Sequence, residues 1–178
     1  MKGTKGTFLK YQRNKDTEPL VGFADADWAT DTSDRKSVSG FLFQVYGNTV
    51  SWSSKKQTSV ATSSSEAEYI ALSAGVAEAI WLSGLLADLG VKIAKPVTIY
   101  EDNRGCIGMA QNLECKRAKH IDIKHHFIRD HIASGRILVE PIRTDDQLAD
   151  IFTKALDTGR FEHLRRNIGL HDREGVKK

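Results

Sequence analysis

Short apolar runs separated by polar turns occupy the first third of the chain and predict three β-strands. The first run, "LVGFADADWA", leads directly into acidic residues, and "VSGFLFQVYG" and "NTVSWSSK" follow it. Gly47-Asn48 separates the last two runs and is a dipeptide that tight hairpin turns favour. Three such strands in succession predict an antiparallel meander.

Helical periodicity begins near Glu66, after a loop rich in serine and threonine. Apolar residues then recur every three or four positions, as in an amphipathic helix, and Gly90 ends the pattern. One set of these positions is Ile70, Ala74, Ala77, Trp81 and Leu85, and a second set, Leu72, Val76, Ala79, Leu82 and Leu86, widens the stripe. The pattern predicts one long helix.

The second half of the chain alternates strand and helix patterns. "PVTIYED" predicts a fourth strand and "RILVEPI" a fifth, whereas "NRGCIGMAQN", "KHIDIKHHFIRDHIASG" and "DDQLADIFTKAL" predict helices. A meander followed by right-handed crossovers predicts an α/β protein with one mixed five-stranded sheet, antiparallel in its first part and parallel in its second, and helices on both faces.

Composition limits the possible chemistry. The 178 residues are enough for one domain with a core, and 40% hydrophobic and 28% charged residues are typical of globular proteins. The formal net charge of +3 is compatible with a nucleic-acid partner but does not specify one. Cys106 and Cys115 lack zinc-type spacing and favour a reducing compartment, and no run approaches the length that we expect of a membrane span.

Carboxylates concentrate at the ends of the predicted elements. They are Asp25 and Asp27 late in the first strand, Glu66 and Glu68 in the long helix, Asp102 after the fourth strand, and Asp145, Asp146 and Asp150 in the last helix. If the first and fourth strands are neighbours, four of these groups can meet at one edge of the sheet. Clustered like charges need a compensating cation, and oxygen-only ligands select Mg²⁺ or Mn²⁺. Two such ions are suited to displacement at phosphorus.

Several motifs, in this order and spacing, closely resemble the ribonuclease H domain of copia-type retrotransposon polyproteins. They are "FADADWA", "SWSSKKQTSVATSSSEAEYIAL", "IYEDN", "KHIDIKHHFIRD" and "QLADIFTK". The resemblance implies a ribonuclease H-like fold at residues 18–157, between a linker or reverse transcriptase tail at 1–17 and a C-terminal helix and tail at 158–178. It also implies a metal-dependent endonuclease that hydrolyses the RNA strand of RNA–DNA hybrids during reverse transcription, leaving 5′-phosphate products.

The resemblance also assigns the catalytic residues and metal ligands. They are Asp25, Glu68, Asp102 and Asp150, holding two Mg²⁺ ions that Mn²⁺ can replace. Flanking apolar residues favour Asp25 over Asp27, and Glu68 over Glu66. Glu66 is then available to complete a capping box with Ser63.

A basic, hydroxyl-rich segment before the long helix has the chemistry of a nucleic-acid contact surface, because ammonium, amide and hydroxyl groups bind phosphate and sugar. The contacts that we expect from this segment are Lys55, Lys56, Gln57, Ser64 and Ser65. Asn103, which follows the fourth strand, is a further expected contact. A solvated turn is the alternative for the two lysines. Trp52 could stack on a base, but a core position in its strand is the stronger expectation.

The "KHIDIKHHFIRD" motif has two interpretations. By resemblance, Lys119 and His120 approach nucleic acid. The alternative is a zinc or transition-metal site, since Asp122, His126 and Asp130 follow one another at intervals of four residues on a helix. We favour solvated polar groups over this metal site.

One feature of the sequence departs from the pattern of many ribonucleases H. Many ribonucleases H carry a histidine before the last helix, thought to assist product release or proton transfer, whereas the corresponding segment "EPIRTDDQ" has none.

Two rival functions are open. One is a related DNA nuclease or strand transferase, and the other is a hybrid-binding module that supports reverse transcriptase with little activity alone. The expected partners are an RNA–DNA hybrid and the upstream reverse transcriptase domain. The expected location is the cytoplasm, in virus-like particles, with the nucleus as the alternative.

Overall fold

The computed structural model describes residues 6–14, 16–29, 33–93, 96–111 and 119–172, and at 119–123 and 125 it describes the backbone alone. The strands in this part of the chain are β1 Thr7–Leu9, β2 Val21–Asp27, β3 Val38–Val45, β4 Asn48–Lys56, β5 Val97–Glu101, β6 Ile137–Pro141 and β7 Leu170–Asp172. Its α-helices are α1 Ser64–Asp88, α2 Arg104–Gln111, α3 Lys119–Ala133 and α4 Thr158–Asn167.

Five strands form one mixed sheet in the order β4-β3-β2-β5-β6. The β2–β3 and β3–β4 pairs are antiparallel, while β2–β5 and β5–β6 are parallel. The predicted meander and crossovers are therefore confirmed. The hairpin turn consists of Tyr46 and Gly47, one residue earlier than predicted, and both have φ > 0 (49° and 73°), as a type I′ turn requires.

Helix α1 packs on β2 and β3 with only one of its two predicted apolar sets. Leu72, Val76, Ala79, Leu82 and Leu86 are buried. In the other set, Trp81 is 59% exposed and Leu85 is 40% exposed, so the predicted long helix is present but only part of its apolar stripe is buried. The helix is apolar on nearly every side, and periodicity alone therefore could not identify the face that packs on the sheet.

By length and composition, α1 is apolar and long enough to cross a membrane, which corrects the expectation that no run approaches that length. The core helix of a globular protein has the same properties, and α1 packs against the sheet in this manner.

Trp52 is also not in the core, contrary to expectation. It is 50% exposed, opposite the buried Leu42 of β3. Strand β4 lies at the edge of the sheet, and its apolar residues Val50 and Trp52 are both exposed.

The predicted last helix at "DDQLADIFTKAL" was also wrong. This segment forms two 3₁₀ turns, Thr144–Asp146 and Leu148–Phe152, and α4 begins only at Thr158, capped by Asp157. The Gln147 amide between the two turns donates to the Ala24 and Tyr100 carbonyls, at 2.9 and 3.3 Å. These tertiary bonds hold the segment across β2 and β5 and override its helical propensity.

The segments near the two ends of the chain pair with each other. Strand β1 is antiparallel to β7, and Arg165 of α4 contacts Asp172 of β7 at 2.7 Å. Part of the predicted 1–17 linker is thus joined to the predicted C-terminal tail. The domain boundaries themselves stay a prediction.

Candidate metal centre

Two parallel neighbouring strands bring acidic residues to one edge of the sheet. Asp25 lies near the carboxyl end of β2, Glu101 is the last residue of β5, and Asp102 follows it. Carboxyl ends of adjacent parallel strands meet at the same edge, so the three carboxylates converge there. The predicted adjacency of the first and fourth strands is confirmed.

A glycine opposite Asp25 lets the fourth predicted carboxylate approach. Gly40 of β3 is in register with Asp25, and a Cβ at Gly40 would lie 2.6 Å from Thr153 Cγ2 and 3.2 Å from the Ala149 carbonyl oxygen. Any larger residue would push this 3₁₀ segment away from the sheet. The close approach places Asp150, which is fully buried, beside Asp25.

The first turn of α1 separates the roles of its two glutamates. The Ser63 hydroxyl accepts from the Glu66 N–H at 3.2 Å, and a Glu66 carboxylate oxygen accepts from the Thr62 N–H at 2.8 Å. The predicted capping box is therefore present in a modified form, in which the Glu66 carboxylate accepts from the backbone N–H of Thr62 instead of that of Ser63. Glu68 is directed instead toward Glu101 and Asp102.

The carboxylates form two overlapping clusters, in each of which the potential ligand oxygens lie within 4.8 Å of one another. One cluster is Asp25, Asp102 and Asp150, and the other is Glu68, Glu101 and Asp102. The structure thus brings together all four predicted ligands, Asp25, Glu68, Asp102 and Asp150. It adds Glu101, which sequence reasoning missed.

The sequence of β5 did contain an indication that Glu101 is buried, because alternate side chains of a strand lie on the same face. Val97, Ile99 and Glu101 share one face of that strand, and the first two are core residues at 3% and 0% exposure. A carboxylate that continues a buried face requires a partner of opposite charge or a functional explanation.

Basic side chains contact only the first cluster within the described residues. Lys154 Nζ lies 2.8 Å from an oxygen of Asp25 and 2.7 Å from one of Asp150. Arg160 contacts the other oxygen of Asp150, and the Thr153 hydroxyl donates to Asp25. The first cluster is therefore partly neutralised by the protein itself.

Burial raises the pKa of several of these carboxyl groups. It raises the pKa of Glu68 far above its ordinary value, and the charges of Glu101 and Asp25 add to the effect. Burial is also the main reason why the pKa of Glu101 is raised to about 8 and that of Asp150 to about 7. For Lys154, burial opposes the charged form, but Asp25 and Asp150 outweigh it and raise the pKa.

The residues present fit divalent cations. Glu68 Oε2 and Glu101 Oε2 are buried and have no hydrogen-bond partner, which is costly for a carboxylate unless an ion binds it. All the ligand atoms are carboxylate oxygens, the donors that Mg²⁺ and Mn²⁺ prefer. In the side chains that the structure describes, both groups that bring three potential ligands within 4.8 Å are of this kind. The alternative site at Asp122, His126 and Asp130 stays a prediction, because the side chain of Asp122 lies outside the described residues.

The first turns of α1 and α2 meet beside the carboxylates. The Ser65 hydroxyl donates to Asn103 Oδ1 at 3.1 Å, and the same oxygen accepts from the Cys106 N–H at 3.0 Å. A Cβ at Gly105 would lie 2.2 Å from Ser65 Oγ, so a larger residue there would displace the Ser65 hydroxyl from its bond to Asn103. Ser64 is exposed on the same turn of α1.

The other predicted nucleic-acid contacts have different environments. Lys55 and Lys56 are exposed, and with Lys124 they line an open groove of about 630 Å³ between β4, α1 and α3. Lys56 also pairs with Asp34 at 2.9 Å. Gln57 is buried, and its amide donates to Ser39 at 2.8 Å and to the Ala67 carbonyl at 2.9 Å, which is a structural role.

Two further predicted contacts cannot be placed in this interface. Lys119 and His120 begin α3, and their side chains lie outside the described residues.

Comparisons of sequence relate the chain to transposon polyproteins, although no protein-family model matches it. It is 40% identical over 166 residues to the "Retrovirus-related Pol polyprotein from transposon RE2" of Arabidopsis thaliana, covering 93% of this chain and 11% of the polyprotein. It is 36% identical over 173 residues to the corresponding polyprotein of the tobacco transposon TNT 1-94, covering 96% of this chain and 13% of that protein. The chain thus spans only a small part of these relatives.

Comparisons of structure relate the fold to RNase H domains. The N-terminal RNase H domain of a Mycobacterium tuberculosis protein matches with a TM-score of 0.58 and 13% identity, over 84% of this chain and 98% of that one. LC11-RNase H1, isolated from compost and solved in complex with an RNA/DNA hybrid, matches with a TM-score of 0.55 and 15% identity, over 75% and 93%. At such identities the likeness concerns the fold alone.

Proposed function

We propose, since this chain is homologous to a segment of copia-type Pol polyproteins and has a ribonuclease H-like fold, that it is a metal-dependent endonuclease for the RNA strand of RNA–DNA hybrids. The observation that carries the proposal is the convergence of carboxylates from β2, α1, the end of β5 and the 3₁₀ segment, with ligand oxygens within 4.8 Å in each cluster.

Asp25, Glu68, Asp102 and Asp150 would hold two Mg²⁺ ions, for which Mn²⁺ can substitute. Bound there, the ions supply water activation and stabilisation of the leaving oxygen, which yields 5′-phosphate products. The residues of the chain orient the ligands. Thr153 and Lys154 hold Asp25, while Lys154 and Arg160 hold Asp150, so both carboxylates have a fixed direction before substrate arrives.

The hybrid would lie across the carboxylates and reach the groove that Lys55, Lys56 and Lys124 line. Lys55 and Lys56 are exposed in that groove and can bind phosphates of either strand. Ser64 lies exposed at the start of α1, close to the carboxylates, where its hydroxyl can meet a sugar or phosphate edge. Choice of an RNA strand requires contacts to 2′-hydroxyl groups, and a hybrid bound by LC11-RNase H1 on the same fold supports this substrate.

The biological role would be removal of template RNA during reverse transcription. The relatives are Pol polyproteins about eight to nine times longer than the matched segment, given that it covers 11–13% of them. The reverse transcriptase domain of the same polyprotein is the expected partner, and virus-like particles in the cytoplasm are the expected location.

A cleavage assay with three labelled duplexes tests the proposal. With Mg²⁺ present, the RNA strand of an RNA–DNA hybrid should be cut while double-stranded RNA and double-stranded DNA stay intact, and EDTA should abolish cleavage. Cleavage of the all-DNA duplex would instead indicate a related DNA nuclease. Binding of the hybrid with no cleavage in Mg²⁺ or Mn²⁺ would indicate a binding module and contradict the proposal.

A further inference from the structure

Glu101 is a buried carboxylate that the four-ligand arrangement does not use. Its side chain is 0% exposed at the end of β5. One of its oxygens, Oε1, accepts from the Asn103 N–H at 3.0 Å. The other, Oε2, accepts no N–H or O–H hydrogen bond, and the one further donor beside the carboxylate is the weak Cys106 thiol, which lowers the pKa of Glu101 slightly against the effect of burial. Glu101 forms no ion pair within the described residues.

Glu68 is in the same situation, directly beside Glu101. It is 5% exposed, and its Oε2 also lacks a hydrogen-bond partner. With the half-buried Asp102, the two glutamates place three ligand oxygens within 4.8 Å of one another. Two buried carboxylate oxygens that accept no N–H or O–H hydrogen bond, in a group of three carboxylates, cost free energy that a bound cation would offset.

We infer that Glu101 is a fifth metal ligand, and that Glu68, Glu101 and Asp102 together bind one divalent cation. Asp102 is shared with the second cluster, so the two ions of the proposed nuclease, on which this inference rests, would be adjacent. Three carboxylate oxygens suit a hard ion of the Mg²⁺ or Mn²⁺ class.

A purely structural role for Glu101 is the alternative, and one substitution separates the two. Glu101→Gln keeps an oxygen that can accept from the Asn103 N–H and keeps the volume of the side chain, but it removes the charge. A structural role therefore survives the change, whereas a ligand role does not. Glu66→Gln is the matched control, because Glu66 is 4% exposed, lies two residues from Glu68 and belongs to neither cluster.

Mn²⁺ titration of the purified protein, with bound ions counted by electron paramagnetic resonance, measures the effect without any cleavage assay. The wild-type protein and Glu66→Gln should bind two ions. In Glu101→Gln one ion should bind as before, and the affinity for the other should fall by at least about tenfold, the minimum expected even for an outer partner of a ligand.

Two ions bound by Glu101→Gln at wild-type affinity would overturn the inference. If circular dichroism shows that this variant does not fold, Glu101→Asp decides, because its shorter carboxylate must weaken the second ion, and wild-type affinity would again overturn the inference. The outcome is separate from that of the nuclease proposal. Two-ion binding that depends on Glu101 in a protein that cuts no hybrid would support the ligand and contradict the nuclease.

Discussion

The two carboxylate clusters share Asp102 but are stabilised in different ways. In the Asp25–Asp150 cluster, Lys154 bridges both aspartates at 2.8 and 2.7 Å, and Thr153 and Arg160 add further bonds. In the Glu68–Glu101 cluster, each glutamate has a buried oxygen without a hydrogen-bond partner. Lys154 and Arg160 thus offset much of the charge of the first cluster, although burial still raises the pKa of Asp150 to about 7. The second cluster has no such partner within the described residues and retains protons to higher pH or needs an external cation.

This difference suggests two kinds of metal dependence in one site. An ion entering the Asp25–Asp150 cluster has to compete with the Lys154 ammonium for the same oxygens. An ion entering the Glu68–Glu101 cluster competes with protons. Substitutions and pH can each be used to test that contrast.

Neutralising one ligand in each cluster should have the largest effect. Asp150→Asn and Glu68→Gln should each lower hybrid cleavage by about 1,000-fold, because a catalytic metal supplies several kcal/mol and each decade of rate corresponds to about 1.4 kcal/mol. Cleavage rates at saturating hybrid and Mg²⁺ measure this. Asp27→Asn and Glu66→Gln are isosteric controls that should retain most of the activity. An active Glu68→Gln variant would remove the second cluster from the mechanism.

The pH dependence of stability should differ with and without metal. The pKa values of Glu101, about 8, and Asp150, about 7, are raised above their ordinary values of 4.5 and 3.8. The folded state therefore binds more protons than the unfolded state between these limits, and metal-free stability should fall as pH rises from about 5 to 8. Because Mg²⁺ needs the deprotonated groups, its stabilising effect should grow over the same range.

Thermal unfolding at several pH values, with Mg²⁺ or with EDTA, measures both trends. Glu101→Gln should flatten the metal-free slope, since it removes one of the three carboxyl groups in the site whose pKa values are raised, the others being Glu68 and Asp150. A metal-free Tm that rises from pH 5 to 8 would contradict the assignment, as would a Mg²⁺-induced shift in Tm that is the same at both ends of the range.

Removing the bridging ammonium should have a smaller effect, and one that depends on metal. Lys154→Met should lower the metal-free free energy of unfolding by about 1–3 kcal/mol, less than the 3–5 kcal/mol typical of a fully buried pair, because Arg160 still contacts Asp150. Saturating Mg²⁺ should reduce this loss. Denaturant unfolding measures it, and Arg143→Met, which removes an exposed ion pair with Asp145, is a control expected to cost less than about 1 kcal/mol. A Lys154→Met loss that Mg²⁺ leaves unchanged would refute the competition.

The smallest expected effect lies outside both clusters. Lys55→Ala with Lys56→Ala should weaken binding of hybrid and other duplexes alike, and should lower the slope of log K against log salt by about 0.9 for each phosphate that the variant no longer binds. Cleavage at saturating hybrid should persist, since no metal ligand changes. Fluorescence anisotropy at several salt concentrations measures the slope. Unchanged affinity and slope would assign these lysines to a solvated turn.

The sequence by itself determined the five-stranded mixed sheet, the long helix α1 and four of the five clustered carboxylates. It could do so because local patterns specify them: strand runs, a turn dipeptide, and acidic residues placed where elements end. Asp25 and Asp102 lie together because adjacent parallel strands expose their carboxyl ends at one edge, a rule that needs no coordinates.

Only the tertiary structure decided which neighbours these groups have. Helix α1 is apolar on nearly all sides, so the exposure of Trp81 depends on where the sheet lies. The segment around Asp150 is 3₁₀ because Gln147 bonds to β2 and β5, not because of its own propensity. Lys154 and Glu101 acquire their roles from contacts between residues far apart in the chain. Burial and charge pairing are properties of packed elements, and no local pattern encodes them.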